Sequence, residues 1–331
     1  MKVVIAGGGG FIGSHLTGRL LERGDKVTVI DSLVTGRMIN VSRYGNHPNF
    51  SFHNMDINYP QYVQWLNLSP FEKTGNFDAI LNLASPASPD DFKTMPIHIL
   101  TTGSVGNMRL LDLAEKSNAK FLLASTSEVY GDPEIHPQKE TYNGSVNPVG
   151  RRSCYDEAKR FAEATTMTFH NAYNTDTRIA RIFNTYGERI NPHDGRVINT
   201  FIKQALLDQP LPVYGKGTQT RSFCHVWDLV EGLVKLLDLE NCDVKNQPFN
   251  LGNPTELTMF SLAEAIIEMT NSNSRIEFLP MPLEREGDPK LRCPDITLAK
   301  LHLKWEPEIE LHEGLKRTIT HFINNESISG I

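Results

Sequence analysis

Lys2-Val3-Val4-Ile5-Ala6-Gly7-Gly8-Gly9-Gly10-Phe11-Ile12-Gly13-Ser14-His15-Leu16 is the stretch whose reading decides the fold. A short β-branched run, Lys2–Ala6, passes into Gly7, Gly10 and Gly13 and then into the apolar periodicity of a helix, Phe11–Arg23. Such a turn lets the backbone approach a pyrophosphate and aims the first helical amides at it. A second predicted strand, Lys26–Ile30, ends at Asp31, whose carboxylate is placed to accept hydrogen bonds from the hydroxyls of an adenosine ribose. That acid disfavours a 2'-phosphate and so favours NAD over NADP, although Arg37 is near enough in sequence to keep the phosphorylated cofactor open. Glycines alone fit a structural turn equally well; glycines, strand, helix and distal acid together describe a dinucleotide site.

Outward from this unit, Phe50–Asp56, Phe77–Leu83, Ala119–Ser125 and Thr177–Phe183 read as further strands, with helices at Ile97–Lys116 and Tyr155–Tyr173. Strands alternating with amphipathic helices predict an α/β fold with a doubly wound parallel sheet of Rossmann type. Beyond Phe183 the texture changes to loops holding Asn191-Pro192, Asp194-Gly195, Gln209-Pro210 and Gly215-Lys216-Gly217, around a helix near Arg196–Leu207. A helical Val226–Leu239 and a buried strand Phe249–Gly252 predict a return to the first core before a helix at Met259–Thr270. The expected division is therefore interleaved. Residues 1–183 with 222–255 form the NAD-binding domain, and 184–221 with 256–331 form a smaller C-terminal α/β subdomain for the substrate.

A length of 331 residues, 39% hydrophobic and 22% charged, supports a large core and excludes disordered and fibrous classes. Lys plus Arg number 33 against 39 Asp plus Glu, and a net charge of -6 argues against nucleic acid or an anionic membrane surface as partner. Val3–Ala6 is too short for the centre of a signal peptide, and no stretch approaches the about 20 apolar residues of a membrane span. Cys154, Cys224, Cys242 and Cys293 are too scattered for a zinc pair or a disulfide scaffold, so a reduced, cytoplasmic protein is expected. The 11 histidines show no ligand spacing, and no metal is expected. Cys154, with no histidine placed to activate it, reads as a helix-packing residue.

Tyr155-Asp156-Glu157-Ala158-Lys159 puts a phenol and an ammonium at i and i+4, on one face of a helix. Alone, the pair is an ordinary helix-surface arrangement. It follows a dinucleotide site and also Ser125-Thr126-Ser127-Glu128, at the carboxyl end of a strand where open α/β sheets place their ligands. There an adjacent ammonium and a positive nicotinamide ring would favour the phenolate and give a base near neutral pH. Asp56-Ile57, ending the third strand, fits the adenine edge and an unremarked strand end equally well.

At this point the residues resemble the extended short-chain dehydrogenases/reductases that act on nucleotide sugars, over nearly the whole chain. Leu83–Pro89, Leu122–Pro133, Arg181–Gly187 and Asp194–Val197 look like signatures of the UDP-glucuronate decarboxylase (UDP-xylose synthase) family within that group. The resemblance implies an NAD-dependent lyase whose substrate is UDP-glucuronic acid, oxidised at C4, decarboxylated as a β-keto acid and reduced to UDP-xylose. Tyr155 would be the base, held by Lys159 and Thr126. Ser127 stands where many dehydratases carry the Asp that expels water, which disfavours dehydration. Arg292 matches the arginine that engages the sugar carboxylate, a role suited to a guanidinium. Glu128 would transfer a proton or orient a water.

For the cofactor, the resemblance adds Phe11, Ile12, Ser32, Thr35, Gly36, Asp56 and Ile57 to the glycine turn and Asp31. It further adds Leu83, Ser85, Thr102, Ala124 and Thr185, besides Tyr155 and Lys159. Pro86, Asn184, Arg189, Arg196, Tyr214, Gln219 and Arg221 join Arg292 around the nucleotide sugar, with Arg189 and Tyr214 equally readable as solvent-facing loop residues. A homodimer through Ile97–Lys116 and Tyr155–Tyr173 is implied; the same apolar faces also fit burial within one chain. Three positions depart from the family pattern: Gly103 replaces an Asn, Glu188 a Pro, and Cys293 a basic residue. Rival readings are a decarboxylase that releases the 4-keto pentose, a 4,6-dehydratase or 4-epimerase, and an NAD-bound scaffold or sensor without activity. The intact Thr126, Tyr155 and Lys159 argue against the last.

Overall fold

The computed structural model describes residues 1–59, 77–240, 244–281, 289 and 291–325. Cys242 and the final residues of the expected second subdomain, 326–331, lie outside the described residues. The first half runs β1 (Lys2–Ala6), α1 (Phe11–Glu22), β2 (Lys26–Asp31), α2 (Met38–Ser42), β3 (Phe50–Asn54), β4 (Ala79–Asn82), α3 (Asp91–Thr94) and α4 (Pro96–Thr101). A π turn over Thr102–Gly106 leads into α5 (Asn107–Ser117), β5 (Lys120–Thr126), a single 3-10 turn over Ser127–Tyr130, α6 (Ser153–Tyr173) and β6 (Thr177–Ile182). There follow β7 (Thr185–Tyr186), α7 (Val197–Leu206), β8 (Leu211–Tyr214), β9 (Thr220–Ser222), β10 (Cys224–His225) and α8 (Val226–Leu237). The chain closes with β11 (Pro248–Leu251), β12 (Glu256–Thr258), α9 (Met259–Thr270), β13 (Ile276–Leu279) and α10 (Leu311–Asn325).

Seven strands form one parallel sheet in the order β11-β6-β5-β4-β1-β2-β3. Val3–Ala6 is buried on both faces, as β-branched runs are when helices cover both sides of a sheet. Leu16 and Leu20 of α1 pack with Leu229 and Leu233 of α8 on one face. On the other, Leu110 and Leu111 of α5 pack with Ala162 of α6. A separate core gathers Phe201 and Ile202 of α7, Leu262 and Ile266 of α9, and Phe322 of α10. The pairs β8–β13 and β9–β12 edge this second core. Among the described residues no helix is long and apolar enough to cross a membrane.

One predicted element is broken. The stretch Ile97–Lys116, expected as one helix, widens into the π turn between α4 and α5. There the Thr102 and Ser104 hydroxyls donate to the carbonyls of His98 (2.8 Å) and Leu100 (2.6 Å), competing for acceptors that a regular ladder uses. The same turn brings the backbone against α6: a Cβ on Gly103 would lie 2.7 Å from the Cβ of Ala158. Gly103, a departure from the family pattern, is thus the residue that the close helix approach requires.

Candidate active site

The carboxyl ends of the parallel strands open on a cleft of about 1090 Å³, with a side cavity of about 70 Å³ towards β2 and β3. Gly7, Gly10, Leu83 and Ser85 line both. Phe11, Ile12, Gly13, Ala124 and Thr185 face the main cleft, and Asp31, Ser32, Gly36, Asp56, Ile57 and Thr102 face the side cavity. Thr35 reaches both spaces. Gly13 must be a glycine, because a Cβ there would stand 2.2 Å from the Gly7 carbonyl oxygen. The Asp31 carboxylate accepts from the amides of Gly9 and Leu33, each at 2.8 Å, which seats it over the glycine turn. Burial pushes this carboxyl above its usual range against those bonds. Pro86, expected on the sugar side, lines the side cavity with the cofactor set, while its successors Ala87, Ser88 and Pro89 line the main cleft.

Thr126 ends β5 and caps the 3-10 turn, accepting from the Glu128 amide at 3.3 Å. Within the first turn of α6, the buried Tyr155 phenol stands beside the Thr126 hydroxyl in the cleft wall. The Lys159 ammonium donates to the Ala124 carbonyl at 2.8 Å and lies 5.8 Å from the Tyr155 ring centroid. Placement follows expectation, but the electrostatics differ. Burial, with the Glu128 charge second, pushes the phenol up to about 12. Burial also lowers Lys159 to about 8, so this ammonium alone does not make the phenol a base at neutral pH.

Glu128 lies between two guanidinium groups, with Arg292 and Arg152 each at 2.8 Å from Oε2. Burial alone would raise its carboxyl; Arg292 and Arg152 overcome that and hold it below the usual range. Arg292 also donates to Asn184 Oδ1 at 3.1 Å, so its side chain is already orientated within the cleft. Ser127 is buried at the cleft wall. Sequence reasoning missed Arg152 and Phe92. The Phe92 ring stacks on Tyr155 at 5.0 Å and 20°, and the Arg152 guanidinium lies over the Phe92 ring, 5.4 Å from its centroid. The signal for Arg152 was present: it precedes α6 directly and stands four residues before Asp156, whose carboxylate it approaches at 3.7 Å. Burial, and then Glu128, raise the Asp156 carboxyl.

On the nucleotide side, Arg196, Tyr214, Gln219 and Arg221 all line the main cleft. Arg196 pairs with Asp194 at 3.1 Å, Gln219 donates to the Tyr214 carbonyl at 2.9 Å, and Arg221 donates to the Thr220 carbonyl at 2.8 Å. Arg189 has a use that neither reading of the sequence foresaw. Its guanidinium donates to the Ser14 carbonyl (3.1 Å) and the Tyr44 hydroxyl (2.8 Å), tying its loop to α1. Beside it, Glu188 faces two buried imidazoles, His225 at 3.5 Å and His15 at 3.9 Å.

A model of the GDP-mannose 4,6 dehydratase family matches residues 4–318. UDP-glucuronic acid decarboxylase 4 of Arabidopsis thaliana is 49% identical over 322 residues, 97% of this chain and 68% of the relative. UDP-glucuronic acid decarboxylase 1 of Danio rerio is 47% identical over 321 residues, 97% of this chain and 72% of the relative. Among solved structures, UDP-glucuronic acid 4-epimerase from Bacillus cereus, in complex with UDP-glucuronic acid and NAD, matches with a TM-score of 0.84 at 25% identity, covering 98% of this chain and 99% of that one. The chain belongs to this family of extended short-chain dehydrogenases/reductases, and within it to the group whose members carry the decarboxylase name.

Proposed function

We propose that the chain converts UDP-glucuronic acid to UDP-xylose and CO2 with retained NAD. The observation that carries this reading is Arg292, partly buried in the wall of the same cleft as Tyr155 and Thr126 and already aimed by Asn184 and Glu128, with Ser127 where a dehydratase needs an acid. The names of the relatives and the UDP-glucuronic acid and NAD held by the epimerase neighbour support it. The glycine turn, which a single Cβ at Gly13 would block, and the buried Asp31 carboxylate suit an NAD pyrophosphate and ribose.

NAD, when bound, supplies the hydride acceptor at C4 and the source of the returning hydride. Tyr155 would take the C4 hydroxyl proton as the phenolate, its own proton having first passed to solvent; burial disfavours that form, and a bound cationic nicotinamide would favour it. Thr126 offers its hydroxyl beside the phenol, and Lys159, fixed on Ala124, holds its charge next to the ring. With C4 a ketone, the C5 carboxylate is that of a β-keto acid and leaves as CO2, its electron pair passing into the enolate. The Arg292 fork orientates that carboxylate. Glu128 is kept ionised by two arginines and therefore orientates water during C5 protonation instead of donating its own proton.

The further assignments follow the same reading. Residues 1–183 with 222–255 serve NAD, and 184–221 with 256–331 serve the nucleotide sugar. Two chains pair through α4, α5 and α6, where Ile97 is 72% exposed and Phe161 45% exposed, an apolar face that water disfavours. The three described cysteines are free and buried, which suits the reducing cytoplasm.

NMR of the purified protein with UDP-glucuronic acid, with and without added NAD+, tests the reaction. UDP-xylose is the expected product, formed without added cofactor. A 4-keto pentose accumulating with one equivalent of NADH overturns the closed cycle, and an unchanged sugar overturns the substrate. Tyr155→Phe is expected to keep its fold and NAD while turnover falls by roughly 10²–10⁴-fold, the usual contribution of a general base. Unchanged turnover would remove Tyr155 from the chemistry.

A further inference from the structure

Behind the sugar side of the cleft, three segments far apart in sequence bring one imidazole, one carboxylate and one thiol together. His136 Nε2 lies 2.9 Å from Glu256 Oε2, and a ligand atom of each of His136, Glu256 and Cys293 lies within 4.8 Å of the others. We propose that these three residues form a binding site for a zinc-class divalent metal ion.

The donor set selects the ion. A thiolate with an imidazole favours zinc and its borderline-soft neighbours over magnesium or calcium, which take oxygen ligands. Zinc bonds of about 2.0–2.3 Å place tetrahedral donors about 3.5 Å apart, so the His136–Glu256 pair, at 2.9 Å, has to open slightly, while donors up to 4.8 Å apart have to close by roughly 1 Å. His136 and Glu256 have the freedom to do so, with side chains 31% and 26% exposed, whereas buried Cys293 fixes the floor. Their exposed side leaves a fourth position for water.

The surroundings are those of ligands held in place. Thr220 donates to the other Glu256 oxygen at 2.6 Å, the outer hydrogen bond that orientates a ligating carboxylate. Gln138 binds the Cys293 segment from two sides: its side chain accepts from the Cys293 amide at 2.8 Å, and its amide donates to the Cys293 carbonyl at 2.9 Å. The loop carrying His136 is thereby fastened to the segment carrying the thiol. Sequence spacing does not show the site, since His136 and Glu256 stand 120 residues apart. Its position has a consequence, because Cys293 follows Arg292 directly and Thr220 precedes Arg221.

Cobalt substitution of the full chain tests the site without reference to turnover. After chelator treatment, one equivalent of Co2+ per chain should give a thiolate-to-cobalt charge-transfer band and the d–d absorption of a tetrahedral ion. Zn2+ should abolish both by displacement. Cys293→Ser should remove the charge-transfer band, and the surface change His136→Ala, which leaves the core untouched, should weaken Zn2+ binding roughly 10–100-fold by calorimetry. Absence of stoichiometric binding overturns the site, as does a band that survives Cys293→Ser or an affinity that His136→Ala leaves unchanged.

Discussion

Tyr155 and Lys159 share a helix face by spacing alone, yet the properties of both depend on groups that spacing does not reveal. Burial raises the phenol most, and the charged neighbour that adds to it is Glu128, itself held ionised by Arg292 and Arg152. Arg152→Gln keeps a hydrogen-bonding side chain of similar length and deletes the charge. The Glu128 carboxyl then rises, so the ionised form that activity requires is reached only at higher pH. The acid limb of the kcat/KM profile should move to higher pH. A limb that stays in place would show that Glu128 ionisation does not govern it. The pair Tyr155/Lys159 was legible because helical geometry is local. The link from Glu128 to Arg292 spans 164 residues and exists only once the sheet and the second core have met. Arg189 shows how charge alone underdescribes a residue: it lines the main cleft, where a phosphate was expected, and its bonds to Ser14 and Tyr44 give it a structural task as well.

At the scale of elements, the parallel strands were legible because β-branched runs buried on both faces have few other uses, and β1 falls at Lys2–Ala6 as expected. The π turn was not, since hydroxyls such as those of Thr102 and Ser104 also bond back to carbonyls inside regular helices and do not by their presence mark a break. The same turn lies against α6, packed so closely that Gly103 has no room for a methyl group. Gly103→Ala should therefore lower stability by about 1–3 kcal/mol, the usual penalty of overpacking. Ala158→Gly in the same chain should recover only part of that loss, because the Ala158 carbonyl oxygen, 2.9 Å from the added Cβ, stays in place and a glycine inside α6 has its own cost. A double-mutant cycle by thermal unfolding measures the coupling, and additive effects would disprove the contact.

For the whole molecule, the return of the chain through α8 and β11 was legible in the apolar texture of Val226–Leu239 and Phe249–Gly252, because a fully buried strand has to join an existing sheet. The exposed face of α4, α5 and α6 was ambiguous in sequence, since an apolar helix stripe looks the same whether its own chain or a second copy covers it. Phe161→Glu should turn a dimer into a monomer by light scattering. A parent protein already monomeric at micromolar concentration would refute the pairing.

The strand order also sets a timetable. All the residues proposed for NAD, apart from Thr185, have been synthesised by the time Lys159 is added, whereas Arg292 comes much later. Until residues 248–251 emerge, β6 has β5 on one side and nothing on the other. A growing chain thus acquires the means to hold a dinucleotide well before it can choose a sugar. During that interval it carries a raw sheet edge, the feature through which unfinished proteins pair with one another.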